Sequence, residues 1–332
     1  MEPLLKLQDY TIRFATPDGD VHAVTGLDLD LAPGEKLAIV GESGSGKSQC
    51  WMGVMGLLAR NARVSGRAMF GDRNLLGLTQ RQLDAVRGAE ICMVFQDPMT
   101  ALNPVLRISR QLTETLEVHR GAGRREAEKQ AIAMLERVGI PDAPRRFRQY
   151  PHEMSGGMRQ RVVIAMALLT KPRLLIADEP TTALDVTIQA QILDLFQDLV
   201  TETGTSLVMI SHDLGAVAGI ADRVAVMYAG RIVEDSPVDD LYERPAHPYA
   251  RALLQSIPRV DRATADIRPI DGRPPSLADL PRGCSFAPRC GYRTDACDAA
   301  VPPLADIEPG RIAACFHPVH RHTAADSKGS RT

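Results

Sequence analysis

The feature that most constrains this chain is an eight-residue stretch, residues 41–48, which reads Gly-Glu-Ser-Gly-Ser-Gly-Lys-Ser. It fits the pattern G-x-x-x-x-G-K-[ST] and lies between an apolar strand candidate and a helix candidate that begins at Ser48. Glycines let backbone N–H groups converge on phosphate oxygens, and the N-terminus of the helix adds partial positive charge. The stretch therefore predicts a phosphate-binding loop, with an ordinary glycine-rich turn as the alternative.

The loop also carries the side chains that a nucleoside triphosphate needs. Lys47 can neutralise the outer phosphates, and the Ser48 hydroxyl can ligate Mg²⁺. We therefore expect one nucleotide to be bound by the loop residues Gly41, Ser43, Gly44, Gly46, Lys47 and Ser48.

A second stretch, residues 174–179, supplies two carboxylates. Its four apolar residues predict a buried strand, which ends at Asp178 and is followed by Glu179. Because the carboxyl ends of parallel strands meet at one edge of a sheet, these side chains can lie beside the phosphate loop. Asp178 would then serve Mg²⁺, and Glu179 would polarise an attacking water as a general base. An acidic pair alone is also common in the first turn of a helix.

Composition narrows the class of protein. A chain of 332 residues with 44% hydrophobic and 24% charged residues is typical of a soluble globular protein of about two domains. The formal net charge of −2 gives no electrostatic footprint for nucleic acid, so no nucleic-acid partner is expected. No apolar run is long enough to span a bilayer, and the N-terminus has no signal pattern. The cysteines are therefore expected in a reducing compartment.

Alternation of strand and helix patterns predicts an α/β fold with a largely parallel core sheet. A helical stretch interrupts this alternation and predicts an inserted helical subdomain at about residues 97–170. A hairpin is predicted from Val224 to Val233, turning at Ala229-Gly230. We expect a nucleotide-binding domain to span residues 1–258 and a small, proline-rich and cysteine-rich domain to span 259–319. Residues 320–332 are expected to be a disordered tail.

Two further motifs could contact phosphate groups. Ser155, Gly156 and Gly157 directly precede a helix candidate, so they predict a second anion site, with a simple helix N-cap as the alternative. Two such sites far apart in one chain favour a pairing of two similar domains, in which each completes the other's site. His212 follows a buried strand and can contact a γ-phosphate or the attacking water, although a structural histidine is the alternative.

Together these motifs resemble the ATP-binding-cassette (ABC) ATPases, over about residues 4–258. The resemblance implies a RecA-like parallel sheet with an antiparallel β subdomain. It also makes Gln96 the Q-loop residue and a Mg²⁺ contact, residues 155–160 the signature, residues 183–185 the D-loop with Asp185, and His212 the switch histidine. Glu179 becomes the catalytic carboxylate. One departure is Met154, which stands where the signature often begins with leucine.

Residues 95–104, 178–187 and 247–249 are similar to the oligopeptide/dipeptide importer ATPases, and the start of the chain is most like their D-type subunits. This resemblance implies a second, related ATPase as heterodimer partner, two membrane permease subunits and an extracytoplasmic binding protein. It places the chain at the cytoplasmic face of the cell membrane. Phe14 falls where an aromatic residue stacks on adenine, although a core aromatic residue is the alternative.

Four late cysteines, Cys284, Cys290, Cys297 and Cys315, read C-x₅-C-x₆-C-x₁₇-C. Disulfides are disfavoured in a reducing compartment, and the short C-x₂₋₄-C spacing of zinc knuckles is missing. Four thiolates can also hold an iron–sulfur cluster, so the chemistry alone indicates a metal or a cluster without choosing. The resemblance to D-type subunits implies a [4Fe–4S] cluster, with zinc or unligated thiols as the alternatives.

These expectations combine into one function. The chain is expected to hydrolyse ATP to ADP and phosphate, with Mg²⁺, and so to power uptake of oligopeptides or dipeptides through partner permeases. Two alternatives are an importer ATPase for another solute, such as nickel or a glutathione-like compound, and a non-transport ABC ATPase.

Overall fold

The computed structural model describes residues 2–182, 185–256 and 270–319. The chain divides into two compact units, each built from discontinuous segments. The first unit contains Met1–Leu5, Leu31–Lys36 and Arg73–Ile210, and the second contains Lys6–Asp30, Leu37–Asp72 and Ser211–Thr332. The predicted boundary near residue 258 and the predicted tail, residues 320–332, lie outside the described residues, so the proposed domain limits stay a prediction.

The strands, numbered in chain order, are β1 (Leu5–Thr16), β2 (Gly19–Leu31), β3 (Lys36–Val40), β4 (Ala62–Phe70), β5 (Arg73–Asn74), β6 (Ile91–Val94), β7 (Leu174–Asp178), β8 (Ser206–Ser211), β9 (Arg223–Tyr228), β10 (Arg231–Pro237), β11 (Ala305–Glu308) and β12 (Arg311–Ala313). The helices are α1 (Lys47–Val54), α2 (Gln80–Val86), α3 (Pro98–Ala101), α4 (Ile108–Arg120), α5 (Arg124–Arg137), α6 (Ala143–Arg146), α7 (Gly156–Leu168), α8 (Val186–Thr203), α9 (Leu214–Ala218), α10 (Val238–Glu243), α11 (Pro248–Gln255) and α12 (Asp295–Ala299).

The first unit is built on parallel strands in the order β6-β7-β8. Every residue of β7 is buried, as are five of the six in β8. This burial explains why β7 reads as an apolar run that ends in an aspartate, since a parallel strand covered on both faces does not alternate. The register aligns Ala177 of β7 with Val94 of β6. The two strands therefore end at the same level, which decides where their following polar residues lie.

Helices fill the segment that was predicted to be helical. The helices α4 and α5 bury one stripe each, including Leu112 and Leu116 of α4, and α4 ends at Gly121 with φ of 62°. A glycine suits this position because L-residues with side chains rarely adopt the left-handed conformation that terminates many helices. The helix α7 is buried along much of its length.

The second unit has a mixed sheet. Strand β3 runs parallel to β9, while β9, β10, β12 and β11 follow one another in antiparallel pairs. The β9–β10 turn contains Ala229 and Gly230 with φ of 47° and 79°, so the predicted hairpin is confirmed. The unit also contains a second sheet in the order β2-β1-β4. The α/β class is thus confirmed, with a mixed sheet in which β3–β9, β6–β7 and β7–β8 pair in parallel and β9–β10, β10–β12 and β11–β12 pair antiparallel.

Candidate nucleotide-binding site

The phosphate loop belongs to the second unit and joins β3 to α1. Helix α1 begins at Lys47, directly after the loop, so its first N–H groups face the loop residues. The Lys47 side chain is only 5% exposed, and its Nζ donates hydrogen bonds to the carbonyl oxygens of Gly41 (2.7 Å) and Glu42 (3.0 Å). The ammonium group is thus held at the mouth of the loop, where it can exchange backbone oxygens for phosphate oxygens.

The loop glycines are required by its backbone path. Gly41 has φ of 155°, and a Cβ built there would lie 2.1 Å from the Met227 carbonyl oxygen. Gly46 has φ of 97°, and its Cβ would lie 2.1 Å from the carbonyl oxygen of Ala23. Any side chain at either position would displace backbone, so the cradle can form only around glycine. Ser43 and Gly44 are exposed at the tip of the loop, and Ser48 is half-buried.

The two predicted carboxylates lie in the first unit. Asp178 ends β7 and is 8% exposed. Glu179 has a left-handed backbone, with φ of 46°, and its N–H donates to the Ile210 carbonyl oxygen at 2.9 Å. The two predicted carboxylates are therefore successive residues with different backbone conformations, one at the end of β7 and one just beyond it.

The structure brings Gln96 and Glu179 together. The Gln96 amide Nε2 donates to the Glu179 Oε2 atom at 3.2 Å, and the Thr182 hydroxyl donates to the same oxygen at 2.9 Å. Their proximity follows from the matched ends of β6 and β7, because both polar residues come just after these strands. Thr182 was not predicted as a site residue, although its position three residues after Glu179 is a turn spacing in which a hydroxyl reaches back.

The predicted second anion site opens α7. Ser155 is the N-cap of this 13-residue helix, and its Oγ accepts a hydrogen bond from the Met158 N–H at 3.3 Å. Ser155 and Gly156 are exposed, while Gly157 is half-buried close to Ile188. The simple N-cap reading of the motif is therefore present, and the exposed serine and glycine leave this helix end accessible.

The remaining predicted residues lie at other places in the units. Asp185 is the N-cap of α8 and accepts from the Ile188 N–H at 3.0 Å, while Ala183 and Leu184 lie outside the described residues. His212 is exposed just after β8 in the second unit. Phe14 is half-buried on β1.

The iron–sulfur prediction is wrong. Cys284, Cys290, Cys297 and Cys315 are free, and all four line one small cavity in the second unit, but in residues 2–182, 185–256 and 270–319 no group of three or more His, Cys, Asp or Glu side chains could hold a metal ion. The same finding removes the zinc alternative. The four cysteines thus share a cavity, but they do not form the metal-binding group that their spacing indicated.

The surroundings of three of these thiols favour their neutral form. Burial raises the pKa of Cys284 and Cys290, and it raises that of Cys315 to about 12. The cavity is otherwise lined by aromatic and apolar groups, among them Phe286 and Pro302, so the cysteines act there as small apolar side chains.

Comparison with known proteins places these features in a family. Residues 24–182 match the ABC transporter family, and residues 233–297 match the C-terminal region of oligopeptide/dipeptide transporters. The chain is 53% identical over 316 residues to the oligopeptide transport ATP-binding protein OppD of Salmonella typhimurium, covering 95% of this chain and 94% of that protein. It is 51% identical over 304 residues to the dipeptide transport ATP-binding protein DppD of Bacillus subtilis, covering 91% of each.

Solved structures agree with the sequence matches. A dimeric post-hydrolysis state of the ATP-binding cassette MJ0796 bound to ADP and Pi is similar with a TM-score of 0.64 and 27% identity, over 70% of this chain and 98% of that one. A structure of cbiO1 from Clostridium perfringens, part of the transporter complex cbiONQ, gives a TM-score of 0.61 and 27% identity over 73% of this chain and 91% of that one.

A glycine-built phosphate loop, a buried strand that ends in two carboxylates and a serine-capped signature helix define an ABC-type ATPase. More narrowly, the chain belongs to the ATP-binding proteins of the oligopeptide/dipeptide ABC transporter family, which confirms the resemblance drawn from the motifs. Over the part of the chain that the structure describes, no helix has both the length and the apolar character needed to cross a bilayer.

Proposed function

We propose that this chain is the ATP-hydrolysing subunit of a membrane importer for oligopeptides or dipeptides, peripheral to the cytoplasmic face of the cell membrane. The observation that carries the proposal is the similarity along nearly the whole chain, 53% identity over 95% of it, to a protein named for oligopeptide transport. Both the ATPase region and the transporter-specific C-terminal region contribute to this similarity.

Binding of the triphosphate rests on the loop. Its backbone N–H groups and the N-terminus of α1 receive phosphate oxygens, and the Lys47 ammonium moves from the carbonyl oxygens of Gly41 and Glu42 to the outer phosphates. Oxygen ligands suit Mg²⁺, and Ser48, Asp178 and Gln96 are the residues proposed to hold it. The ion neutralises charge that accumulates on the phosphates. Phe14 is proposed to stack on the adenine ring.

Hydrolysis is assigned to the carboxylate and its neighbours. Glu179 orients water and accepts its proton, while His212 stabilises the alignment of that water. The hydrogen bonds from Gln96 and Thr182 hold the Glu179 carboxylate in one direction. Gln96 thus contacts the general base directly, which gives it a route to report the state of the nucleotide to a permease.

Two ATPase chains are proposed to act as a pair. The exposed Ser155 and Gly156, together with Gly157, would meet the γ-phosphate held by a related partner ATPase. Asp185, the last residue of the predicted D-loop, is the N-cap of α8. ATP then joins the two chains, and its hydrolysis releases them. Two permease subunits convert this closing and opening into transport, and an extracytoplasmic binding protein delivers the solute.

Substitution of the proposed general base tests whether this chain hydrolyses ATP as proposed. Glu179→Gln in the assembled complex should bind ATP but lower steady-state hydrolysis at least about 100-fold, the usual size of a general-base contribution. Glu114→Gln, which changes a half-exposed carboxylate on α4, should leave turnover unchanged. Full turnover by the Glu179 variant would remove its assigned role.

Transport itself is tested with the complex in vesicles that contain the permeases and the binding protein. ATP-dependent accumulation of a labelled oligopeptide or dipeptide is the expected result. Accumulation of a nickel complex or of glutathione in place of peptide would identify the other importer class. An ATPase that associates with no membrane subunit would indicate a non-transport role.

A further inference from the structure

The phosphate loop is attached to the C-terminal part of the chain through Glu42. This residue is the second of the loop, and all its contacts considered below lie within the second unit. Its carboxylate receives two hydrogen bonds from the Arg289 guanidinium, from Nη1 to Oε2 at 2.6 Å and from Nη2 to Oε1 at 3.0 Å. The two side chains thus form a two-pronged ion pair across 247 positions of sequence.

The guanidinium is fixed on its other sides. Its Nε donates to the Asp271 carbonyl oxygen at 2.9 Å, and Nη2 donates to that of Ile270 at 3.3 Å. Nη1 also donates to the Tyr228 hydroxyl at 3.2 Å. The Arg289 side chain is only 4% exposed, against 26% for Glu42. A buried arginine with this many partners has little freedom, so it positions whatever carboxylate it binds.

The backbone of Glu42 is held as well. Its N–H donates to the Tyr249 hydroxyl at 2.8 Å, and its carbonyl oxygen accepts from Lys47 Nζ at 3.0 Å and from the Ser45 N–H at 3.2 Å. Tyr228, Tyr249 and Phe286 contact one another, with ring centroids 4.5 to 5.4 Å apart. The residue that Arg289 holds by its side chain is therefore the same residue on which Lys47 rests.

We infer that Arg289 is a positioning residue for ATP binding: through Glu42 it holds the phosphate loop in the shape that receives nucleotide, so the C-terminal segment sets the affinity for ATP. This inference rests on the ATP-binding function. Loss of the pair would let the loop backbone at Glu42 move, and the loop N–H groups would then no longer converge on the phosphates.

The test measures binding of Mg²⁺ and AMP-PNP, a non-hydrolysable ATP analogue, to the full chain by titration calorimetry. Arg289→Ala and Glu42→Ala should each raise the Kd about tenfold, because the released loop must be ordered again each time nucleotide binds. The Kd of the double variant should be no higher than the higher of the two single-variant values, since the two substitutions remove one interaction. Arg289→Lys keeps the positive charge but cannot donate the two parallel hydrogen bonds of a guanidinium. Its Kd should therefore lie between those of the parent and Arg289→Ala.

The matched control is Arg293→Ala. Arg293 lies four residues further on and forms an ion pair with Asp298 at 2.9 Å, with both side chains about half exposed. Its Kd should stay within about twofold of the parent, since exposed pairs contribute little. In the assembled complex, Arg289→Lys should raise the KM for ATP and leave kcat within about twofold, which separates positioning of the loop from a general loss of folded enzyme.

Two results would overturn the inference. One is an unchanged Kd in Arg289→Ala or, if that variant does not fold, in both Arg289→Lys and Glu42→Gln, whether or not thermal stability falls. The other is additive weakening in the double variant. A parent chain that binds no nucleotide would overturn the proposed function too, whereas normal binding by parent and variant alike overturns this inference alone.

Discussion

The buried His247 makes the second unit sensitive to acid. This residue caps α11, where its Nδ1 accepts a hydrogen bond from the Tyr249 N–H at 3.0 Å, and it is fully buried. Burial lowers the pKa of His247 from its ordinary 6.5 to about 3. Between these values the unfolded chain binds a proton at His247 that the folded chain does not. The free energy of unfolding therefore falls as the pH drops below 6.5.

The size of the effect follows from the pKa difference. Each pH unit within this window costs about 1.4 kcal/mol, so lowering the pH from 6.5 to 5 removes about 2 kcal/mol of stability through His247 alone. Substitution His247→Asn should keep the cap, because asparagine is a favoured N-cap residue that supplies a side-chain oxygen. The variant should lack this part of the acid sensitivity.

The measurement is urea-induced unfolding from pH 5 to pH 7.5, followed by the fluorescence of Trp51. This is the single tryptophan of the chain, and it is buried in α1 of the same unit. The difference in unfolding free energy between parent and variant should change by about 2 kcal/mol between pH 6.5 and pH 5. Parallel curves across that range would show that the histidine does not stay neutral when folded, and would refute the reasoning.

Two other substitutions have calculable outcomes. Gly46→Ala places a Cβ 2.1 Å from the Ala23 carbonyl oxygen, so it should abolish nucleotide binding. It should also lower the urea midpoint more than Gly44→Ala does, because a Cβ at Gly44 meets nothing within 4 Å. Equal midpoints for the two variants would contradict the clash. Burial raises the pKa of Glu234 from 4.5 to about 7, so its ionisation destabilises the fold as pH rises through that window. Relative to the parent, Glu234→Gln should gain up to about 3 kcal/mol between pH 4.5 and pH 8 in urea unfolding, and a constant difference would exclude that origin.

Local sequence patterns predicted the parts of the fold that depend on neighbouring residues. The turn at Ala229-Gly230 was predictable because turn residues are selected by local backbone angles. The proximity of Gln96 and Glu179 was not predicted, but it is explained by a general rule, the common edge at which parallel strands end. The family was identified from motifs whose glycines and carboxylates must have fixed spacing.

Long-range partners could not be predicted in the same way. Arg289 and Glu42 lie 247 positions apart, and no local pattern joins an arginine beside a cysteine to the second residue of a phosphate loop. The same holds for Arg311, which is buried against Glu234 and Glu308 although arginine is usually exposed. The four cysteines line one cavity with Phe286, but their spacing along the chain could not show that they form no metal-binding group among the described residues.

The left-handed backbone of Glu179 brings fold stability into conflict with the proposed need for a carboxylate at this position. A residue with a Cβ loses about 1–2 kcal/mol in this conformation, whereas glycine, and in part asparagine, tolerates it. Glu179, the proposed general base, lies just beyond the end of β7 and is thus held in this conformation by the surrounding sheet and not by its own preference. Directed evolution that selects for heat resistance alone would consequently enrich Gly or Asn at position 179. The most stable variants from that selection would have lost ATP hydrolysis.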